Sequence, residues 1–349
     1  MKFNKAKNSK IEFGLARILG LSDATLIGVG ALLGGGIFTL TGLALSYAGP
    51  SLILVIILNG IIAFMTAMAY AELGSSFPEA GGAFVWTRRG LGNLAGHITG
   101  WISWFANAVA CGLYALSFSF YLSFMLFSFI LPSLGISFSF FSEGSVFQKL
   151  IAVTIILFIG WVNYKGVAGT SKLGKIIVYL EILVLGAFIV FGLLSFFREP
   201  SLQANLTPFF PLGLFGLISA MGLIYIGFEG SEIIVQSGEE LKNPRRNIPR
   251  AIFLSLAIIC FLYLLIIFSA LAGGPGWQVL SEAGQGALIQ ASHFFLPGLE
   301  WLIVFGGLLA AFAALNATIF SSSRVSFSMG RAGTLPAFLA KVHPKNRTP

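Results

Sequence analysis

The residues with the clearest chemical potential in this sequence are carboxylates inside apolar stretches. Glu181 lies in the apolar run 173–197, and Glu229 and Glu232 lie in the run 211–236. A charged group deep in a bilayer is costly because lipid cannot solvate it, so an ionisable residue there indicates a functional site. Such carboxylates can exchange a proton, attract a cation or accept hydrogen bonds from freed backbone groups.

A glycine triplet interrupts another apolar run. Residues 28–38 read GVGALLGGGIF, with Gly34, Gly35 and Gly36 in succession. Glycine inside a helix costs about 0.5–1 kcal/mol relative to alanine, so the triplet is either a packing device or a break. Gly30 and Gly34 form the small-xxx-small pair typical of closely packed transmembrane helices, whereas a break survives in lipid only where it faces a cavity or a ligand.

A second interruption favours the break. Gly227 and Gly230 flank Glu229 in the sixth apolar run. Two interrupted runs in corresponding positions are the sequence pointer to a transporter built from inverted repeats, with its binding site near the bilayer midplane.

The composition requires a membrane around these residues. The 349 residues are 56% hydrophobic and 10% charged, and the mean hydropathy is +0.90. A water-soluble domain of this size carries far more surface charge. Apolar runs long enough to span, at roughly 20 residues each, predict eight transmembrane helices at 23–46, 52–73, 98–131, 147–163, 173–197, 211–236, 250–272 and 297–323.

The net charge of +8 indicates orientation rather than a nucleic acid partner. If the N-terminus is cytoplasmic, all lysines and arginines except Lys149 and Arg198 fall in inner segments, as the positive-inside rule expects. We therefore predict a multi-pass cell-membrane protein with a cytoplasmic N-terminus. The sequence contains no H-E-x-x-H, G-x-S-x-G or clustered Cys/His pattern, so we expect no enzyme, no cofactor and no metal centre.

Three stretches resemble one family. GVGALLGGGIF resembles the first-helix signature of the amino acid–polyamine–organocation permeases, written G-x-G-x-x-x-G-[SG]-G-I-F. IGFEGSEIIVQSGEELKNPRRNIPRAI, residues 226–252, is similar to the sixth helix and following loop of that family, and residues 321–349 resemble the exit from its eighth helix. The resemblance implies a secondary active transporter that moves amino acids by alternating access, with a neutral amino acid favoured.

The resemblance also implies the leucine-transporter fold, in which two inverted five-helix repeats have unwound first and sixth helices. Family members usually carry twelve spans, so we expect a C-terminally truncated permease. A non-transporting fragment or scaffold is the first alternative, ahead of a membrane-embedded enzyme. The expected division is a cytoplasmic tail at 1–22, a first five-helix repeat at 23–197, a partial second repeat of three helices at 211–323 and a cytoplasmic segment at 324–349.

Carried over by position, the resemblance places a substrate site at the two interruptions. The backbone N–H groups of Gly35 and Gly36 would hold the substrate carboxylate at a half-helix N-terminus, and carbonyls of Leu32, Leu223 and Ile226 would take its ammonium. Because Leu223 stands where many relatives carry an aromatic lid, Tyr225 or Phe228 is expected to substitute. The expected substrate-binding set is Leu32, Gly34, Gly35, Gly36, Leu223, Tyr225, Ile226 and Gly227.

The coupling ion is left open between proton, sodium and simple exchange. Many relatives carry a lysine fifteen residues after the glycine of an N-x-x-G turn; here the turn is Asn163–Gly166 and that position is Glu181. Our hypothesis is that Glu181 loads and releases a proton, since burial disfavours a charged carboxylate. A structural glutamate that bonds between helices is the alternative.

Other polar residues have two interpretations each. Glu229 either gates the inner side, together with Phe228, or bonds structurally to the broken helix. Hydroxyls of the eighth run either complete a sodium site or pack helices; they are Thr318, Ser321 and Ser322. Glu239 and Glu240 are expected to form a solvated ion-pair network with inner-loop arginines. Those arginines are Arg88, Arg89, Arg245 and Arg246.

Overall fold

The structure is a computed structural model that describes residues 17–135, 145–165, 167–343 and 348. Most of the expected N-terminal tail (1–16), Gly166 of the expected turn, and residues 344–347 and 349 of the expected inner segment lie outside the described residues.

Helices account for nearly all of the described secondary structure, and the one β-type pairing among these residues is an isolated bridge between Leu19 and Leu241. The first helices are α1 (Leu21–Leu33), α2 (Gly35–Ala48), α3 (Leu52–Ser76), α4 (Ala83–Leu91), α5 (Asn93–Met125), α6 (Leu131–Ser133) and α7 (Val146–Lys165). The later helices are α8 (Val167–Arg198), α9 (Gly213–Ile224), α10 (Ser231–Gln236), α11 (Pro244–Gly273), α12 (Trp277–Glu282), α13 (Ala287–Phe295) and α14 (Glu300–Arg331).

Seven helical stretches in the described part of the chain are long and apolar enough to cross a membrane. The apolar runs in the sequence predict eight spans. The first stretch, Leu21–Ser76, contains 56 residues and includes both of the first two predicted spans. A straight helix of that length would be about 84 Å long, against a hydrocarbon core of about 30 Å. A 3₁₀ turn at Gly49–Ser51 separates α2 from α3 inside this stretch. The expectation of an all-α polytopic membrane protein is confirmed.

The core forms around α14 and α11. Helix α14 packs against α5, α8 and α1, and α11 packs against α3, α1 and α8. The outer helix α7 instead exposes large apolar side chains, among them Leu157 at 68% and Trp161 at 53%. Exposed apolar surface of this extent is typical of a face that meets a membrane or another protein and not water.

Candidate functional site

The first interruption predicted from the glycines is a one-residue break. Helix α1 ends at Leu33 and α2 begins at Gly35, while Gly34 between them has φ −45° and ψ −162°. A Cβ added at Gly34 would lie 2.0 Å from the Cβ of Ala314 on α14. Gly34 therefore both interrupts the helix and allows close packing, so each interpretation of the triplet describes part of it.

The second interruption is longer. Helix α9 ends at Ile224, a 3₁₀ turn covers Tyr225–Phe228, and α10 begins at Ser231. Glu229 has φ −92° and ψ 59°, and its N–H donates to the Ile226 carbonyl over 3.3 Å. The Ile226 oxygen expected to receive a ligand thus already accepts one hydrogen bond and retains a second lone pair.

The two interruptions are in direct contact. A Cβ added at Gly36 would lie 2.9 Å from the Cα of Gly227, and one added at Gly230 would lie 2.5 Å from Cγ of Leu32. The backbones approach so closely that glycine is required at these positions, because any side chain would separate them. The structure thus brings together residues that are almost 200 positions apart in the sequence.

Tyr263 of α11 joins the two interruptions, and sequence reasoning missed it. Its side chain is fully buried, its hydroxyl donates to the Leu32 carbonyl, and the same hydroxyl lies 3.3 Å from the Gly227 carbonyl oxygen. The Phe228 ring meets the Tyr263 ring edge-on at 5.5 Å between centroids. The sole signal in the sequence was a single tyrosine within the apolar run 250–272.

Glu181 lies inside α8, fully buried. Neither of its carboxyl oxygens has a hydrogen-bond partner among the described residues. Helix α8 packs against α1 and α11, the helices of Leu32 and Tyr263. The inter-helix hydrogen bond considered as its alternative role is not seen in the described part of the chain.

Glu232 is the centre of a polar chain that joins three helices. Its Oε1 accepts hydrogen bonds from the Ser103 hydroxyl on α5 and, over 2.7 Å, from Gln236 Nε2 on α10. The Gln236 Oε1 in turn accepts from the Ser321 hydroxyl on α14. Glu229 lies three residues before Glu232, and its side chain is exposed.

The residues of the expected cation site have other partners. The Thr318 hydroxyl donates to the Ala314 carbonyl over 2.8 Å, and the Ser321 hydroxyl belongs to the polar chain around Glu232. Ser322 is half-buried one residue further along α14. Two of the three hydroxyls thus have the hydrogen bonds expected of helix-packing residues.

Of the two residues expected to substitute for the lid, Phe228 packs on Tyr263 of α11 and Tyr225 lies beside α3. The Tyr225 hydroxyl is 3.4 Å from Oγ1 of Thr66, and Leu223 is half-buried. Asn59 Nδ2 also donates to the Met221 carbonyl over 2.9 Å. Polar side chains of α3 therefore hold the last turn of α9 in place.

The expected partners of Glu239 and Glu240 are wrong. Glu240 pairs with Arg324 at 2.7 Å in a buried contact, and Glu239 pairs with Arg331 at 2.6 Å. Both arginines come from α14, so the carboxylates of the loop after α10 reach that helix and not the arginines of the other inner loops. Burial raises the pKa of Glu240, and the charge of Arg324 opposes that shift.

Comparisons with known proteins identify the family of the chain. The sequence profile described as "Amino acid permease" matches residues 19–349. The chain is 32% identical to the branched-chain amino acid permease BcaP of Bacillus subtilis, over 97% of this chain and 72% of that protein. It is 30% identical to the methylthioribose transporter of B. subtilis, over 96% of this chain and 72% of that protein, and 28% identical to the human cationic amino acid transporter 4, over 100% of this chain and 55% of that protein. The chain therefore belongs to the amino acid permease family.

Proposed function

We propose that this chain is a secondary active transporter that binds an amino acid between its two helix interruptions and carries it by alternating access. The observation that carries the proposal is the direct contact of Gly36 with Gly227 beside the Tyr263 hydroxyl. Backbone polar groups at the ends of interrupted helices survive in a membrane where they line a site. Named relatives that transport amino acids support the same conclusion.

The N-terminus of α2 would bind the substrate carboxylate. Gly35 and Gly36 are the first two residues of this 14-residue helix, so their N–H groups have no partner within it. The partial positive charge at a helix N-terminus favours an anion, and the absence of side chains allows a close approach. Gly34, which lies before them, sets the direction of the helix.

The carbonyls around Tyr263 would bind the substrate ammonium. In the structure the Tyr263 hydroxyl donates to the Leu32 carbonyl, which is one of the acceptors expected for the ligand. An ammonium is a stronger donor than a hydroxyl because it is charged. We propose that the substrate ammonium displaces this hydroxyl. When no substrate is bound, the Tyr263 hydroxyl occupies the ammonium subsite.

A neutral amino acid is the proposed substrate class. Leu32 and Phe228 contribute apolar surface next to the interruptions. The Glu232 carboxylate, which could attract a cationic side chain, already accepts from Ser103 and Gln236. A cationic substrate would therefore have to rely on Glu229.

The proposed architecture is the leucine-transporter fold with eight spans in this chain and a cytoplasmic N-terminus. The turn at Gly49–Ser51 supports separate first and second spans, and the two interruptions lie in the first and sixth of the predicted runs. The repeats proposed are 23–197 and 211–323.

The proposed energy source is a proton gradient, which protonation of Glu181 would couple to transport. A buried charged carboxylate without a partner is costly, and Glu181 has no hydrogen-bond partner among the described residues. A proton removes that cost.

The test is counterflow of labelled leucine into proteoliposomes that contain the 349-residue chain and are preloaded with unlabelled leucine. We expect saturable uptake. Gly36→Ala should abolish it, because the new methyl group would meet the Gly227 backbone, whereas Gly222→Ala should retain it, because nothing lies within 4 Å of the added carbon. Leucine binding by the detergent-solubilised chain without any counterflow would overturn transport and favour the scaffold alternative.

A further inference from the structure

An arginine-lined pocket lies between the segment before α1 and the start of α11, and no residue of the helix interruptions lines it. Its volume is about 660 Å³, within the range of small-molecule pockets, about 300–1,000 Å³. Arg17 approaches it from the segment before α1, and Arg245 and Arg246 approach it from the first turn of α11. No carboxylate is among the described residues that line it.

Main-chain pairing holds the two walls of this pocket together. The Leu19 N–H donates to the Glu240 carbonyl over 3.0 Å, and the Lys242 N–H donates to the Leu19 carbonyl over 2.8 Å. This bridge fixes the segment of Arg17 beside the segment that leads into Arg245. The arginines are thus brought together by the fold and not by a contact between their own side chains.

The described carboxylates near the pocket have other partners. Glu79, next to the lining residue Pro78, pairs with Arg89 at 2.5 Å. Glu239 and Glu240 pair with arginines of α14, and Asp23 pairs with Lys175. No carboxylate of the described residues therefore forms an ion pair with any of the three pocket arginines.

A lipid-facing stripe runs away from the pocket along α11. Arg250 follows Arg246 by four residues and is also exposed. The same helix face continues with Leu254, Ile258 and Phe261, which are 47%, 36% and 65% exposed. Residues three or four positions apart lie on one helix face, so basic side chains at the membrane surface pass directly into an apolar surface in the bilayer.

We infer that this pocket binds an anionic phospholipid, with the headgroup phosphate against Arg17, Arg245 and Arg246 and an acyl chain along Leu254, Ile258 and Phe261. Arginine pairs with phosphate through two parallel hydrogen bonds, and basic pockets at a membrane surface suit anionic headgroups. The apolar stripe selects a lipid over a free anion. The bound lipid would also reinforce the bridge between Leu19 and Leu241.

The experiment measures thermal unfolding and native mass spectra of the purified 349-residue chain with added dioctanoyl lipids. Dioctanoyl phosphatidylglycerol should raise the unfolding midpoint and give a retained 1:1 complex, and dioctanoyl phosphatidylcholine should do neither. Arg245→Gln/Arg246→Gln should weaken the apparent affinity for phosphatidylglycerol by about tenfold or more, because charge-assisted hydrogen bonds to phosphate are lost. Arg245→Lys/Arg246→Lys should retain most of the effect.

A matched control removes the same charge elsewhere. Lys149→Gln/Arg198→Gln also removes two positive charges, at exposed positions on α7 and α8, and should leave the response unchanged. Equal responses to both lipids, or an unchanged response in the Arg245/Arg246 glutamine variant, would overturn the site. Inorganic phosphate that protects as well as the lipid at the same concentration would overturn the lipid assignment.

Discussion

Removal of the Tyr263 hydroxyl should destabilise the empty form of the proposed site more than the substrate-bound form. The change is Tyr263→Phe, which keeps the aromatic ring against Phe228 and removes only the donor to the carbonyls of Leu32 and Gly227. If the substrate ammonium replaces this hydroxyl, its loss harms the empty protein more than the occupied one. The variant should therefore be less stable when empty and bind leucine more tightly.

The size of the effect follows from burial. Tyr263 is fully buried, so the Leu32 carbonyl would lose its donor in a place where water cannot replace it. An unsatisfied buried acceptor costs about 1–3 kcal/mol. If the ammonium restores that hydrogen bond, the same amount enters the binding free energy, and about 1.4 kcal/mol corresponds to a tenfold change in affinity.

The assay is equilibrium binding of labelled leucine to the detergent-solubilised chain, with thermal unfolding followed in the absence and presence of leucine. We expect a lower midpoint without leucine, a larger rise of the midpoint when leucine is added, and an affinity about tenfold tighter than that of the unmodified chain.

Tyr121→Phe is the matched control. Tyr121 is also fully buried, and its hydroxyl contacts two carbonyl oxygens, that of Phe38 at 2.9 Å and that of Gln285 at 3.2 Å. This variant should lose similar stability without a gain in affinity. Weaker leucine binding by Tyr263→Phe, or an equal gain in affinity by both variants, would refute the displacement of Tyr263 by the substrate.

Further predictions concern the carboxylates. Glu181→Gln should abolish leucine uptake driven by an inward proton gradient in proteoliposomes while counterflow continues; intact gradient-driven uptake would contradict proton coupling at this residue. Glu229→Gln should shift the pH profile of leucine exchange, and superimposable profiles would count against a gating role. Glu240→Gln should lower the free energy of unfolding by about 3–5 kcal/mol, because it leaves the buried Arg324 charge unpaired. Chemical denaturation measures that loss, and Glu240→Gln/Arg324→Gln should recover part of it; an undiminished loss in the double variant would argue against the pair as its cause.

The interruptions were predictable because their cause is local. Three consecutive glycines, and glycines on both sides of Glu229, weaken a helix whatever surrounds it. Apolar length likewise predicted the membrane helices, although the first two predicted spans fall within one helical stretch, in which only a three-residue turn separates α2 from α3.

Contacts between distant segments were not predictable in this way. The role of Tyr263 depends on the position of α11 between the two interruptions, which no spacing within α11 encodes. Glu239 and Glu240 were assigned to arginines near in sequence or in other inner loops, but they pair with Arg331 and Arg324 of α14. The ion pairs thus follow the packing of helices, while the charge pattern alone allowed several partners.

The contact between Gly36 and Gly227 has a mechanical consequence. With the two peptide backbones touching, no gap for a solute exists at this level, so an entering molecule must act as a wedge that forces the halves of the bundle apart. A ligand favours the separated arrangement only by the difference between its affinities for the two states. Binding of the solute and separation of the two backbones are therefore one event at this point. A solute too small to contact both backbones would not separate them.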